Sequence, residues 1–547
     1  MSKNSIFYAI LALVILITFI GFPLDLMPPD AALYASISKT MVLNNDYINL
    51  YSLGTDWLDK PHLPFWLTAL SFKLFGFSNF AYKLPGVLIF FYGAYTMYLF
   101  AKENYNKQTA LTAVIILLTS LHIVISNFDV KAEPFLTGFI MASLYWFYKY
   151  IQQKTWKHLL LGSLFCAFAI MTKGIFALIP IVAAIAGNLL VKKQWKEILN
   201  PMWIFAFVFI AVFIIPELYA LYIQFDAQPD KVVFGKTNVS GIKFFLWDSQ
   251  FGRFFNTGPI KGKGDVFFFL HTILWAFLPW SILFYIATVL KIKRNFKIVN
   301  HKEEFYTIFG TLATILVFSL SKFQLAHYTN IVFPFMAIIT ADFIIKLKDQ
   351  YFKLQKTFVI TQWFLIGIVT VAIPLLSFLM LPEFNFSFLI ILAISIATIL
   401  FVKKKEQEKI KRLFYYSAIT FCFLYGFMLT HFYPTLFNYQ GGVHAAKFSN
   451  NNNIETVYLI DNKTHKFGFE FYLNNPVIRV PKEDVNLLKG KTFYADQQEL
   501  QYLKENNYKY SILKAFDSYR ITKLKGSFLN HNSRAEKLNK KYLIVLQ

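Results

Sequence analysis

The chain has 547 residues, of which 56% are hydrophobic and 19% aromatic, and its formal net charge is +23. A soluble protein of this length could not bury so much apolar surface, so the composition indicates a polytopic membrane protein. The lysines and arginines fall mainly in short segments between apolar runs. This distribution argues against nucleic-acid binding as the reason for the charge.

Apolar windows long enough to cross a bilayer recur from the N-terminus to about residue 431. Residues 30–44 and 62–77 are predicted to be amphipathic segments in the membrane interface. Cys166 and Cys422 fall inside predicted spans, which argues against a disulfide framework. We predict about thirteen transmembrane helices, near residues 5–24, 80–101, 108–126, 132–150, 158–172, 174–191, 202–224, 266–290, 305–320, 327–346, 358–381, 386–403 and 412–431.

The charges predict how these spans are oriented. With a cytoplasmic N-terminus, every predicted cytoplasmic loop is basic, from Lys102 and Lys107 in the first to the lysines at 403–405 in the last. This agreement with the positive-inside rule favours an odd number of spans. The tail after about residue 432 is then extracytoplasmic.

The tail, residues 432–547, differs in character from the rest. "IETVYLIDN", "NPVIRV", "YSILKAF" and "KYLIVLQ" are typical of short strands, and "KTFYADQQELQYLKENN" predicts a strand and then a helix near 496–505. We expect a small α/β domain with one mixed sheet, entered through a linker at "SNNNN", 449–453. The predicted division is a transmembrane domain at 1–431 and this domain at 432–547.

The same orientation places several polar residues on one extracytoplasmic face, namely Asp30, Lys60, Asp129, Lys173, Arg253, Lys322 and His327. One or two acids and several cations at a membrane surface suggest a lipid phosphate, because cations hold phosphate oxygens and a carboxylate orients or deprotonates a hydroxyl. Prolines and tryptophans in "DWLDKPHLPFW", 56–66, suit a groove for an isoprenoid chain.

Each of these residues also has a structural alternative. Asp30 and Asp129 would cap the helices that follow them. Lys60 and His62 would anchor an interfacial turn, and Lys173 would extend from a helix end toward the headgroups. Lys322 and His327 lie in a tight connector between spans, where solvated polar residues are normal, and Arg253 lies in a long loop, where arginines are frequent. Neither HExxH nor CxxC occurs, so no metal site is predicted, and a divalent cation has no ligand motif to support it.

Seven motifs occur in a familiar order over about residues 20–345: "PPDAALYASISKTMVLNNDYI", "WLDKPHLPFWL", "LFGFSNFAYKLPGVL", "NFDVKAEPFLTGF", "MTKG", "FGRF" and "FSLSKFQLAHYTNIVFP". In these the chain resembles the polyprenyl-phosphate-dependent membrane glycosyltransferases of the GT-C fold, most closely the bacterial aminoarabinose transferase and protein O-mannosyltransferase-like family. The resemblance implies a helical GT-C domain of about 13 transmembrane helices with interfacial helices, followed by the small α/β domain.

The resemblance also implies roles for residues of this chain. Asp30 and Asp129 match catalytic acids, and Lys60, Arg253 and Lys173 match positions that bind the donor phosphate. Substrate contacts are implied for Tyr34, Asp59, His62, Lys322, His327 and Tyr328. The chain departs from the family pattern at Ala31, where Glu is frequent, at Leu33, where the aminoarabinose transferases carry Arg, and at His62, where the family has Pro.

The implied function is an inverting transfer of a sugar from a polyprenyl-phosphate donor, with undecaprenyl phosphate as carrier, to an envelope glycolipid such as lipid A. The enzyme would lie in the bacterial inner membrane with its active site and tail in the periplasm. The implied partners are the donor, the acceptor and the bilayer, without nucleic acid. The alternative acceptor is Ser or Thr of secreted proteins. A transporter or flippase is less favoured because the unusual charges gather at one surface and no repeated halves are visible. A non-catalytic scaffold would leave those charges unexplained.

Overall fold

A computed structural model describes residues 4–297, 303–460 and 466–547. Helices make up most of it, and a five-stranded sheet follows near the C-terminus. The α-helices are α1 Ser5–Gly21, α2 Asp30–Leu43, α3 Leu63–Phe75, α4 Asn79–Asn104, α5 Lys107–Leu118, α6 Leu121–Phe128, α7 Ala132–Gln153, α8 Trp156–Lys173, α9 Leu178–Val191, α10 Trp195–Ile198, α11 Met202–Phe213, α12 Ile215–Leu221, α13 Gly241–Lys243, α14 Arg253–Phe255, α15 Phe268–Ala276, α16 Ser281–Lys297, α17 Tyr306–Leu320, α18 Phe333–Lys346, α19 Gln355–Met380, α20 Phe386–Lys405, α21 Lys409–Phe427, α22 Tyr433–Phe437, α23 Gly441–Asn451, α24 Phe467–Tyr472, α25 Gln497–Glu505, α26 Gly526–Leu529 and α27 His531–Arg534.

Shorter helical turns of other types connect these helices. The 3₁₀ turns are Ile175–Ala177, Ala326–Val332, Phe352–Leu354, Lys482–Leu487 and Ala535–Lys537, and the π-helical segments are Tyr222–Asp226, Phe244–Gly252 and Met428–Phe432. The strands are β1 Tyr51–Ser52, β2 Thr55–Asp56, β3 Val457–Ile460, β4 Ile478–Val480, β5 Thr492–Asp496, β6 Tyr510–Ser518 and β7 Asn539–Leu546.

Each predicted span coincides with a helix or with consecutive helices. In the described part of the chain, six helices are individually long and apolar enough to cross a membrane, or seven when α5 and α6, which meet at a 59° bend, count as one span. Apolar side chains of these helices face outward, as for Phe207, 68% exposed, and Phe378, 70% exposed. The chain is a multi-pass membrane protein, and the total of thirteen spans stays a prediction.

Glycines bring the central helices α4 and α7 close together. A Cβ added at Gly93 in α4 would lie 2.5 Å from the Cα of Gly138 in α7. Small residues at such crossings let helix backbones approach closely in a membrane. On the other side of α7, Gly162 of α8 packs against the ring of Phe147. This packing fixes the start of α7 beside the end of α8, where the polar residues lie.

The two predicted interfacial segments are helices, α2 and α3, but α2 does not lie freely on the bilayer surface. Most of its residues are buried, because α3 and, from the tail, α24 pack against it. The Ser36 hydroxyl donates a hydrogen bond of 2.6 Å to Glu470. The Lys39 ammonium donates to the carbonyls of Phe471 and Leu473. Both segments are thus helices as predicted, and their place in the membrane interface stays a prediction.

The tail forms a mixed sheet in the order β4-β3-β5-β7-β6, with β3 parallel to β4 and β5, and β7 antiparallel to β5 and β6. The predicted strands and the helix α25 are present, although residues 461 and 462 of the first predicted strand lie outside the described residues. Asp496 and Glu499 form a capping box that starts α25. The predicted linker at 449–453 is instead the last turn of α23 and the turn after it, so that prediction was wrong.

Candidate active site

The polar residues selected from the sequence lie mostly at helix ends, and the structure gathers them on one side of the bundle. Asp30 begins α2, Asp129 ends α6, and Lys173 ends α8. Arg253 follows directly on the π-helical segment Phe244–Gly252, a conformation that is rare and often found at functional sites. His327 lies in the 3₁₀ turn before α18. Two groups of contacts result.

The first group, the carboxylate cluster, consists of Asp30, Asp129 and Lys131. The Lys131 Nζ lies 2.9 Å from Asp129 Oδ2 and 3.7 Å from Asp30 Oδ2. Burial, and to a smaller extent Asp30, raises the pKa of Asp129, although Lys131 opposes the shift. Burial disfavours the charge of Lys131, but the two carboxylates outweigh it and raise the pKa of Lys131. Asp30 is the most accessible member, with 43% of its side chain exposed against 10% for Asp129.

Neither aspartate acts as the helix cap that was the structural alternative. Asp30 is itself the first residue of α2, Pro29 occupies the cap position, and no side chain caps this helix. Asp129 terminates α6, and the cap position of α7 belongs to Lys131, again without a side-chain hydrogen bond. Asp129 Oδ1 is buried without a hydrogen-bond partner among the described residues. Neither carboxylate is therefore occupied by helix capping, and both face Lys131 instead.

The second group, the cation cluster, consists of Lys60, Lys173 and Arg253 with the carboxylates of Asp59 and Glu133. Asp59 holds two of the cations: Lys60 Nζ lies 2.7 Å from its Oδ2, and Arg253 pairs with its Oδ1. Burial alone would raise the pKa of Asp59, but Lys60 and Arg253 hold it below its usual range. Asp59 is therefore ionised and fixes the two cations side by side.

Glu133, which the sequence reasoning did not select, links the two groups. It lies in the first turn of α7, two residues after Lys131, and is almost completely buried. It forms an ion pair with Lys173, and His327 Nε2 lies 3.5 Å from its Oε1. Lys173 Nζ also lies 4.1 Å from the ring centroid of Tyr328. Lys131 was missed as well, although both residues stand in the quoted motif "NFDVKAEPFLTGF".

Two of the predicted substrate contacts lie elsewhere. His62 is fully buried, because its ring nitrogens contact Glu217 Oε1 and the Ile48 carbonyl at 2.9 Å each. This placement gives His62 a structural role and does not support substrate contact. Lys322 is exposed on the connector between α17 and α18, and it does not line the cavities at the cation cluster. Tyr34, a third predicted substrate contact, is buried as well: its exposed fraction is 4%, and its ring centroid lies 5.0 Å from that of Phe65.

Two cavities meet at the cation cluster, and Lys173, Gln250 and Arg253 line both of them. The first cavity is mainly apolar, with walls that include Leu136, Phe176, Phe318 and Ile331. The second is lined by Asp59, Lys60 and Glu217 among others. Gln250 fixes this junction, since its Nε2 donates to the Lys173 carbonyl at 2.9 Å. An apolar compartment that joins one containing several charged side chains, with two cations at the junction, suits an amphiphile with an anionic head.

Metal binding finds no geometric support in the part of the chain that the structure describes. No group of three or more His, Cys, Asp or Glu side chains there is arranged to hold a metal ion. Asp30 and Asp129 instead have Lys131 between them, and a lysine ammonium occupies the place where a cation would be needed.

Comparison with known proteins confirms the resemblance read from the motifs. Residues 59–219 match the family model described as dolichyl-phosphate-mannose-protein mannosyltransferase. The undecaprenyl phosphate-alpha-4-amino-4-deoxy-L-arabinose arabinosyl transferase of Erwinia tasmaniensis is 27% identical over 364 residues, which is 64% of this chain and 60% of that protein. A second relative, the undecaprenyl phosphate-alpha-4-amino-4-deoxy-L-arabinose arabinosyl transferase 2 of Proteus mirabilis, is 28% identical over 339 residues, which is 60% of this chain and 57% of that protein. The matched region thus spans less than two thirds of these relatives.

The fold is shown by solved structures. The crystal structure of ArnT from Cupriavidus metallidurans bound to undecaprenyl phosphate superposes with a TM-score of 0.74 at 15% identity, covering 100% of this chain and 98% of that one. The predicted GT-C architecture with a small C-terminal sheet domain is therefore confirmed.

Proposed function

We propose that this protein is a membrane glycosyltransferase that moves a sugar from a polyprenyl-phosphate donor to an envelope glycolipid such as lipid A. The observation that carries the proposal is the junction at Lys173 and Arg253, where an apolar cavity adjoins one that Asp59, Lys60 and Glu217 also line. The relatives named for arabinosyl transfer from undecaprenyl phosphate support the same donor class. We place the enzyme in the bacterial inner membrane, with the site and tail in the periplasm.

The donor phosphate is proposed to lie against Lys60, Lys173 and Arg253. Arg253 Nε is buried and has no hydrogen-bond partner among the described residues, so it is a donor that an anion would satisfy. Guanidinium and ammonium groups make strong charge-assisted hydrogen bonds to phosphate. The isoprenoid chain would then occupy the apolar cavity beside Leu136 and Phe176.

The transfer is proposed as a single inverting displacement. The acceptor oxygen attacks the anomeric carbon, a new carbon–oxygen bond forms, and the bond to the donor phosphate breaks with its electron pair leaving on polyprenyl phosphate. The cations stabilise the charge that develops on this leaving group. Asp30, the more exposed aspartate, takes the proton of a hydroxyl acceptor, or only orients an acceptor that is already a phosphate anion. Asp129 and Lys131 hold Asp30 in place.

A protein acceptor is the second candidate, because the matching family model is described as a protein mannosyltransferase. A serine or threonine hydroxyl would need Asp30 as a base, as a sugar hydroxyl would. Mass spectrometry of lipid A and of secreted peptides from cells without the gene distinguishes the two. Loss of a sugar from lipid A supports the glycolipid acceptor, and loss from Ser or Thr peptides supports the protein acceptor.

The direct test uses purified enzyme in vesicles. Asp30→Asn should abolish transfer while undecaprenyl phosphate binding is retained, because this carboxylate serves the acceptor. Arg253→Gln should instead weaken undecaprenyl phosphate binding by roughly tenfold or more, the usual loss for a charged hydrogen bond. Normal turnover by Asp30→Asn would refute its assignment, and unchanged donor affinity in Arg253→Gln would refute the phosphate site.

A further inference from the structure

A cleft separate from the two cavities lies between the tail domain and the start of α2. Its volume is about 640 Å³. On the membrane-domain side it is lined by Pro28 and Pro29, the two residues directly before Asp30. On the tail side it is lined by the ends of β6 and β7 and by the segment 519–522 that follows β6. Asp30 does not line the cleft but follows Pro29 directly, so the cleft borders the start of α2.

The tail side of this cleft is held in a defined position. The amide of Tyr519 donates to the Tyr439 carbonyl at 2.9 Å, and its ring stacks on Phe528 at a centroid distance of 3.7 Å. Ile521 is 2% exposed, whereas its neighbours Arg520 and Thr522 are exposed. The segment is thus anchored at alternate residues, and Arg520 is presented at the surface of the cleft.

The tail's sheet is also fixed to the membrane domain. Arg534 donates to the Met380 carbonyl at the end of α19, at 3.0 Å. The amide of Leu26, shortly before α2, donates to the Tyr472 hydroxyl at 2.8 Å. The cleft between these parts is consequently a feature of the docked protein, which the tail and α2 form together.

The charges in the cleft are predominantly positive. Arg520, Lys540 and Lys541 line it, against a single carboxylate, Asp496. Asp496 pairs with Lys541 at 3.3 Å, and Lys540 pairs outside the lining with Asp517 at 2.9 Å. Arg520 has no carboxylate partner in the described ranges of the chain. A guanidinium presented in this way favours a bidentate contact with a phosphate.

We propose that this cleft binds the phosphate-bearing head of the acceptor glycolipid and delivers it to Asp30. The inference rests on the proposed function, and it assigns a substrate-binding role to the tail domain. Arg520 of the tail lines the same cleft as Pro28 and Pro29, which directly precede Asp30. An acceptor whose phosphate contacts Arg520 would lie with its sugar toward the carboxylate cluster.

The test measures binding of two probes to the full-length protein in nanodiscs. One probe is a tetraacylated lipid A precursor with its two phosphates, and the other is the same lipid after enzymatic dephosphorylation. Wild type should bind the phosphorylated probe more tightly. Arg520→Gln should weaken that binding about tenfold and leave the dephosphorylated probe unaffected. Lys504→Gln, an exposed lysine of the same domain that does not line the cleft, is the matched control and should change neither affinity.

Three results would overturn the inference. The first is equal affinity of the wild type for the two probes. The second is an equal effect of Arg520→Gln and Lys504→Gln on binding of the phosphorylated probe. The third is full competition by phosphatidylglycerol vesicles or by inorganic phosphate, which would make the cleft a general membrane or anion contact. Binding of undecaprenyl phosphate is measured in parallel and should not change in Arg520→Gln. If wild type fails to bind undecaprenyl phosphate, the proposed donor site is refuted independently of the cleft.

Discussion

Replacement of Glu133 by Gln tests the link between the two clusters. Glu133 is 4% exposed at its side chain and pairs with Lys173, whose side chain is 25% exposed. Removing one partner of a fully buried pair costs about 3–5 kcal/mol, and an exposed pair contributes at most about 1 kcal/mol. Since one partner is partly solvated and Gln retains a hydrogen-bond acceptor, we expect a loss of about 2 kcal/mol in the free energy of unfolding.

Donor binding should change in the opposite direction. Glu133 competes with a phosphate for Lys173, so its neutral replacement should tighten undecaprenyl phosphate binding roughly fivefold, a gain of about 1 kcal/mol. Thermal unfolding of the purified protein, with and without undecaprenyl phosphate, measures both effects. The control is Glu103→Gln, which disrupts the 3.1 Å pair with Lys149 near the other ends of α4 and α7. Equal destabilisation by the two variants, or weaker donor binding in Glu133→Gln, would refute this reasoning.

Two further substitutions test the surroundings of Asp30. Lys131→Gln removes the cation that opposes the raised pKa of Asp129, so this pKa should rise further. The pH dependence of the carboxyl band in infrared difference spectra, with Asp129→Asn to assign the band, measures it. A pKa of Asp129 that stays in place or falls would contradict the cluster. Lys83→Met removes a fully buried ammonium that donates to the carbonyls of Gly21 and Leu24 at 2.8 Å each. We expect thermal unfolding to show a loss of about 2 kcal/mol in the free energy of unfolding. The control is Lys102→Met, at an exposed lysine of the same helix, which should leave stability unchanged. Equal unfolding midpoints for the two variants would show that the contacts of Lys83 are unimportant.

Most of the fold could be predicted from the sequence because its signals are local. A long apolar run predicts a span, and alternation of apolar residues predicts a strand, whatever the rest of the chain does. The burial of α2 could not be predicted in this way. It depends on the contact between Ser36 and Glu470, which are 434 positions apart, and on a tail helix of six residues that has no periodic signature of its own.

The candidate site was predicted in part. Sorting loops by charge placed Asp30, Asp129, Lys173 and Arg253 on one face, and the structure brings them together. Lys131 and Glu133 were overlooked, although charges at the head of an apolar helix require partners and could have been selected on that ground.

The requirement that a charge in an apolar helix has a partner also explains the contact between His62 and Glu217. Glu217 is fully buried within the apolar helix α12, where an acid needs a partner, and His62 supplies it. Lys322 is absent from the cavities because of the direction of its side chain. Lys322 lies on the correct side of the membrane domain, but nothing in the sequence shows that it extends into solvent.

The docking of α24 on α2 has a consequence for how the tail can be manipulated. Asp30 is the first residue of α2. The tail holds this helix because Glu470 accepts a hydrogen bond from Ser36, and because the carbonyls of Phe471 and Leu473 accept from Lys39. Deleting the tail, or exchanging it with that of a relative, would expose a lysine and a serine on α2 and release the helix that carries the acid. Loss of activity in such a chimera would therefore report a displaced aspartate as readily as a missing acceptor site, and only point substitutions can separate the two.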